Sequence, residues 1–227
     1  MKTFFVKKSR FFRLIGAWLC ISFLFFFCGC KQSINYFDYV SELRSNILLA
    51  ETDDLYLRIF SLSKENPYAA DGIPNEKTTI TEIHLTAPNA DKTCTIAFEI
   101  NDKQYGGEMS FDNVKGDYYF SCTLDVSNLS ALSCRIRYGE TERTLNAVSV
   151  RDESTLSPEA ALSALQLAEN ELFQAMTDKY GFVGEIYLRL IYEDSAYYYV
   201  GVIDREGKTN AFLLNATTGK ILAKRQS

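Results

Sequence analysis

The sequence predicts a mainly β protein with a smaller α+β part. An antiparallel β-sandwich of immunoglobulin-like architecture spans 45–150. A helix laid over an antiparallel meander spans 157–227. Three observations predict this. About seven short stretches between 45 and 150 alternate polar with apolar residues, with turn residues between them. The apolar period changes to a helical one at Ser157. It returns to alternation beyond Gly181.

The first alternating stretch is Leu55 to Ser61, after the turn Thr52-Asp53-Asp54. Thr78 to Thr86 is rich in Thr and Ile, and Cys94 to Ile100 alternates cleanly. Asn101-Asp102-Lys103 is a turn, and Gly106-Gly107 marks a hairpin or bulge leading into Glu108 to Phe111. Beyond a turn at Asp112 to Gly116 come Tyr118 to Val126, Cys134 to Tyr138 and Arg143 to Val150. Beyond position 18 the chain has no Trp to pack on a disulfide, so the immunoglobulin likeness is architectural only. Glu65 to Glu76, with Pro67, Gly72 and Pro74, has no apolar pattern and reads as a connecting loop.

Residues 151–156 are charged and polar, a linker. Ser157-Pro158-Glu159 then supplies an N-cap, a first-turn proline and an early acid, which is how a helix starts. Ala161, Leu162, Leu165, Ala168, Leu172, Ala175 and Met176 recur at helical spacing, and Gly181 ends a helix of about 23 residues. Glu169 lies at the edge of that stripe, where a carboxylate reaches out to water more often than it stays buried. Ile186, Leu188, Leu190 and Tyr192 share one strand face, and Tyr198, Val200 and Val202 share another. Arg205-Glu206-Gly207 turns the chain into Thr209 to Leu214. Asn215 to Gly219 turns it into Lys220 to Ala223, with Gly219 at the left-handed position of the hairpin.

The N-terminus has a different composition. Its first 29 residues hold five basic side chains, no acid and eight of the 16 Phe. Without them the net charge falls from −5 to −10, and so acidic a body repels phosphate backbones, which argues against a nucleic-acid partner. A basic segment (Lys2 to Arg13), an apolar one (Leu14 to Phe27) and Gly29 just before Cys30 follow the order of an export signal. Phe27-Cys28-Gly29-Cys30 resembles the lipobox of bacterial lipoproteins, with Phe27 where that family usually has Leu. The resemblance implies that 1–29 is a signal peptide and that Cys30 carries the lipid. Residues 30–44 would then be a lipidated tether, its Tyr36, Phe37, Tyr39 and Val40 able to dock on the body. Two acyl chains make a stable anchor. The alternative is an uncleaved membrane helix, since Leu14 to Cys30 is 17 residues, at the short end of a spanning length. Both place the body on the extracytoplasmic side of the bacterial cell membrane.

Of six Cys, only Cys94, Cys122 and Cys134 lie beyond the signal, and each is in phase with apolar neighbours. They read as three buried thiols, or as two in a disulfide and one free. No CxxC is present, and His84, the only His, has no ligand-like spacing to a Cys, so neither metal nor cofactor is expected. His84 is out of phase with Ile83 and Leu85 and reads as a surface residue on the polar side of its strand. Without a nucleophile–histidine set, P-loop, GxGxxG or HExxH, the sequence points away from an enzyme. Asp53-Asp54 sits in a polar turn and reads as solvated.

The run Asn215-Ala216-Thr217-Thr218-Gly219-Lys220-Ile221-Leu222, after the alternating Ala211 to Leu214, resembles the end of a PepSY domain, with Asn215 where Asp is usual. The resemblance covers about Leu156 to Lys224. It implies a helix on a small antiparallel sheet, and a module that binds or regulates without catalysing, as in inhibition of peptidases.

If the helix covers Ile186, Leu188 and Leu190, the opposite face carries Tyr187, Tyr197, Tyr199 and Ile203. That face packs on the β domain, is a patch for a partner, or is simply buried as part of a sheet edge. The expected function is therefore a non-catalytic, lipid-anchored surface lipoprotein that binds an envelope protein, peptide or polymer. The alternative is a regulator or inhibitor of an envelope peptidase.

Overall fold

The computed structural model describes residues 34–66 and 73–226. The expected signal peptide and Cys30 lie outside these residues. A 3-10 turn, Tyr36–Tyr39, leads into β1 (Val40–Glu51), β2 (Tyr56–Glu65), β3 (Lys77–Thr86), β4 (Cys94–Ile100) and β5 (Lys103–Glu108). Then come β6 (Ser110–Asp112), β7 (Asp117–Cys122), β8 (Ala131–Tyr138) and β9 (Thr141–Ser149). Helices α1 (Pro158–Ala168) and α2 (Asn170–Ala175) are followed by a two-strand ribbon, β10 (Thr177–Asp178) and β11 (Gly181–Phe182). Strands β12 (Glu185–Tyr192), β13 (Ala196–Ile203), β14 (Thr209–Asn215) and β15 (Ile221–Gln226) close the chain.

The fold is mainly β, as expected, and among the described residues all strands but β10 and β11 join into one sheet. The main path runs β15-β14-β13-β12-β1-β2-β3-β7-β6. Strand β1 is the hinge of this arrangement. Its first half pairs in parallel with β12, Leu43 opposite Leu188 and Arg44 opposite Arg189. Its second half pairs with β9 through Leu48 and Leu49. From β9 the sheet doubles back through β8 and β4 to β5, forming a second layer. Leu48, Leu57, Ile59, Ile83 and Leu85 of the first layer meet Ile96, Phe98, Cys134, Ile136 and Leu145 of the second in a sandwich core.

The switch between partners falls at a bulge between Arg44 and Asn46. Asn46 is buried there, and its amide is fully used. It donates to the carbonyls of Val126 (3.2 Å) and Leu129 (2.9 Å) and accepts from Ser149 Oγ (2.7 Å). One side chain thus fixes β1, the loop after β7 and the end of β9.

Residues 40–44, read from sequence as the end of a tether, are part of this central strand. Upstream, Tyr36 and Tyr39 do dock. Tyr36 meets the rings of Phe173 and Phe182 edge-on at 4.8 and 5.3 Å, and Tyr39 meets Phe182 at 5.3 Å.

Helix α1 starts as its residues dictate, with Ser157 Oγ accepting from Ala160 N and Pro158 in the first turn. It is shorter than the expected 23 residues. Glu169, at φ −116° and ψ 36°, breaks the helix, and α2 resumes with its phase rotated. Phe173 is therefore buried, while Ala168 and Ala175, expected in the stripe, are exposed. Glu169 is half-buried and pairs with Lys224 at 2.6 Å. Instead of ending a helix, Gly181 adopts φ 137° in the β10–β11 ribbon. Gly219 takes φ 68°, and a methyl there would stand 2.7 Å from Ala164 Cβ, so the last hairpin rests closely on α1. No helix among the described residues is long and apolar enough to cross a membrane.

Candidate functional site

The helices and the second layer lie on the same side of the main sheet. Ile186, Leu188 and Leu190 of β12 and Tyr198, Val200 and Val202 of β13 are all buried on that side. The register of β12 with β13 puts Tyr187 opposite Gly201, Arg189 opposite Tyr199, Ile191 opposite Tyr197 and Glu185 opposite Ile203. Directly opposed residues share a face, so Tyr187, Tyr197, Tyr199 and Ile203 all lie on the outer side. All four are half-buried. The second layer lies on the other side of the sheet, away from this face.

What joins the tyrosines is Arg189, which the sequence reading did not single out. Its guanidinium carbon stands 5.1 Å from the Tyr187 ring and 6.0 Å from the Tyr199 ring. Its Nε and Nη2 donate to Glu42 of β1 at 2.8 and 2.9 Å, a bidentate pair. Beside Arg189 in register is Arg44, whose guanidinium lies 4.5 Å over the Phe60 ring of β2. Burial and the neighbouring Arg189 push the Arg44 pKa down from its ordinary value. Among the described residues Arg44 makes no ion pair within 4.0 Å, and its buried Nε has no hydrogen-bond partner.

The row continues across β2, β3 and β7. Lys64 pairs with Glu82 at 3.4 Å. His84 beside it and the Lys64 ammonium hold the Glu82 carboxylate below its ordinary value. Asp117 is buried, accepting from Arg58 at 2.8 Å and pairing with His84 Nδ1 at 3.1 Å. His84 faces outward as its strand phase requires, but it is not a surface residue. At 5 % exposure it is enclosed by the rings of Phe60 and Tyr119 and by Asp117. Its Nε2 faces Glu82 at 4.0 Å, so the ring stands between two carboxylates.

The face is thus a band of arginines stacked on aromatic rings, with carboxylates between them. Groups of this kind can bind ligands: guanidinium forks suit carboxylates or phosphates, and ring faces suit flat or apolar groups. Arg44, Arg58, Glu42 and Asp117 were legible only as the alternate positions of β1 and of the strands beside it. That signal needs β1 to be known as a strand.

On the opposite side a polar cleft of about 280 Å³ lies between the start of α1 and the loop after β7, lined by Leu43, Ser61, Asp125, Arg151, Ser157 and Glu159 among others. Among the described residues no group of three or more His, Cys, Asp or Glu is placed to hold a metal ion. Cys94, Cys122 and Cys134 are all free thiols, Cys94 and Cys134 buried and Cys122 half-buried, so no disulfide joins two of them.

Fold and face together define a mainly β protein with one sheet side covered and an arginine–tyrosine band on the other. Compared with protein-family models, with curated proteins and with solved structures, the chain matches none.

Proposed function

We propose that the chain is a lipid-anchored extracytoplasmic binding protein, non-catalytic, held to the bacterial cell membrane through Cys30. It presents the outer sheet face to an envelope protein, peptide or polymer carrying anionic groups. The single observation behind this reading is Arg44: a half-buried guanidinium beside a second arginine, stacked on Phe60; it feels Glu42 and Glu82 only at a distance and, among the described residues, pairs directly with neither. An anion from outside supplies the direct ion pair that Glu42 and Glu82 do not make, and Tyr187 and Tyr199 flank the place where it docks. In this reading the sandwich is immunoglobulin-like in architecture, and the helix with β12 to β15 is a PepSY-like unit.

The test is crosslinking at the surface of intact cells, followed by mass spectrometry. Arg44→Ala and the double variant Tyr197→Ser/Tyr199→Ser are expected to remove the captured partners at unchanged melting temperature. Capture undiminished by both variants would falsify the use of this face. Globomycin treatment with mass analysis of the mature N-terminus checks acylation of Cys30 independently.

A second reading, regulation of an envelope peptidase through the C-terminal part, is favoured by the continuous β12 to β15 meander with α1 on its inner side. It requires that the purified full chain slow at least one envelope peptidase; no slowing across several removes it.

A further inference from the structure

We infer that the β10–β11 ribbon tip, with Lys179 and Tyr180, is a second membrane contact that seats the body on the bilayer surface. The inference rests on the lipid-anchor reading above and gives the anchored body an orientation.

The first observation is chain length. Four residues lie between Cys30 and Asn35, where the 3-10 turn is capped, so five Cα steps separate the two. At most about 18 Å of extended chain can bridge them. A lipid on Cys30 therefore holds Asn35 close to the headgroups. Asn35 leads into Tyr36 and Tyr39, which are fixed to the region carrying the ribbon. Tyr36 Oη is 3.4 Å from Thr177 Oγ1, and a methyl on Gly181 would meet Tyr39 Oη at 2.6 Å. The ribbon tip is thus next to the place where the tether arrives.

The second observation is what the tip carries. Tyr180 is 83 % exposed, the Lys179 ammonium stands 4.7 Å over its ring, and Arg205 of the neighbouring turn reaches Asp178 at 3.6 Å. Ile73, 64 % exposed, lines the same hollow as Tyr39. An exposed tyrosine with a flanking lysine suits the membrane interface, the ring at headgroup level and the ammonium on phosphate. The strand directions put the β1–β2 and β12–β13 turns at the opposite end. These turns carry Asp53, Asp54, Glu193 and Asp194 and no Lys or Arg, so an anionic bilayer repels them, whereas at the ribbon end Asp178, Asp204 and Glu206 are matched by Lys179, Arg205 and Lys208.

The chain offers its own reporter. Its single Trp is Trp18. In a Trp18→Phe background, Tyr180→Trp places a lone indole at the ribbon tip. Tyr192→Trp, at a position 41 % exposed near the opposite end, is the control. Protein made from the full gene and purified from bacterial membranes as processed there is reconstituted in phosphatidylglycerol-containing vesicles with and without brominated phosphatidylcholine. Circular dichroism checks the fold, and intact mass reports acylation of Cys30. The Tyr180→Trp emission is expected to fall at least twofold with brominated lipid and to shift to the blue, while the control is unchanged. With Cys30 acylated, an unquenched reporter at 180, or equal quenching at 180 and 192, overturns the docking. A mass without acyl groups overturns the anchor reading, and the orientation with it.

Discussion

The carboxylate of Asp117 has the most demanding position on the outer face. Its side chain is 3 % exposed, its Oδ2 serves both Arg58 and His84, and its buried Oδ1 has no partner. A buried charge is tolerable only while it is paired. Asp117→Ala leaves Arg58 without its counter-ion and is expected to destabilise the fold by about 3 kcal/mol, read from urea denaturation. Arg58→Ala removes the other side of the pair, so the double variant should lose much less than the sum. The buried thiols give a pH signature. Burial pushes Cys94 up to about 11 and Cys134 up to about 12, against an ordinary thiol value of 9.0. Each keeps a proton in the folded state that the unfolded chain releases, so their stabilisation is complete below pH 9 and is lost as pH rises toward 12. The urea midpoint is expected to fall between pH 9 and 11, and less steeply in Cys94→Ala/Cys134→Ala. Tyr198, pushed up to about 12 by burial, adds to the same trend above pH 10.

Among elements, β1 decides the most and was the least visible. Its residues VSELRSNILLAE do not alternate, because the bulge at Asn46 shifts their phase midway and because each half has a different neighbour. Period-two reasoning therefore took 40–44 for a tether and passed over 45–51. Strands with one partner-facing side and a steady phase, such as β4 and β8, were plain in the sequence: ALSCRIRY alternates exposed with buried throughout. The helix start at Ser157 was equally legible, but the break at Glu169 was not, since nothing local forbids a helix there. The tyrosine face was legible by parity alone; Arg189 and Arg44 joined it only through tertiary pairing. Asn46 carries an element-scale prediction. Asn46→Ala removes four hydrogen bonds from a buried bulge and is expected to lower stability by about 2–3 kcal/mol in chemical denaturation. Asn46→Asp should not rescue it, because a carboxylate cannot donate to the Val126 and Leu129 carbonyls.

On the scale of the molecule, residues 35–227 cluster as one compact unit. The linker is pinned at both ends: Arg151 Nη1 donates to the Ser45 carbonyl at 3.3 Å, and Leu156 N donates to the Ala216 carbonyl at 2.8 Å. Because β1 belongs to the sandwich and to the C-terminal sheet at once, neither can lose it without exposing its own edge. Calorimetry is expected to show a single transition whose van't Hoff and calorimetric enthalpies agree. Two resolved transitions would show that the halves melt separately.

The position of β1 also decides how the protein answers a pull. It is the first strand after the tether, and it is gripped on both flanks, by β12 and by β2. Tension arriving through Asn35 draws it lengthwise, loading its rungs in shear instead of peeling them one by one. Under the anchoring proposed through Cys30, a tug from the bilayer would meet the sheet along its most resistant direction, and the body would stay folded under drag.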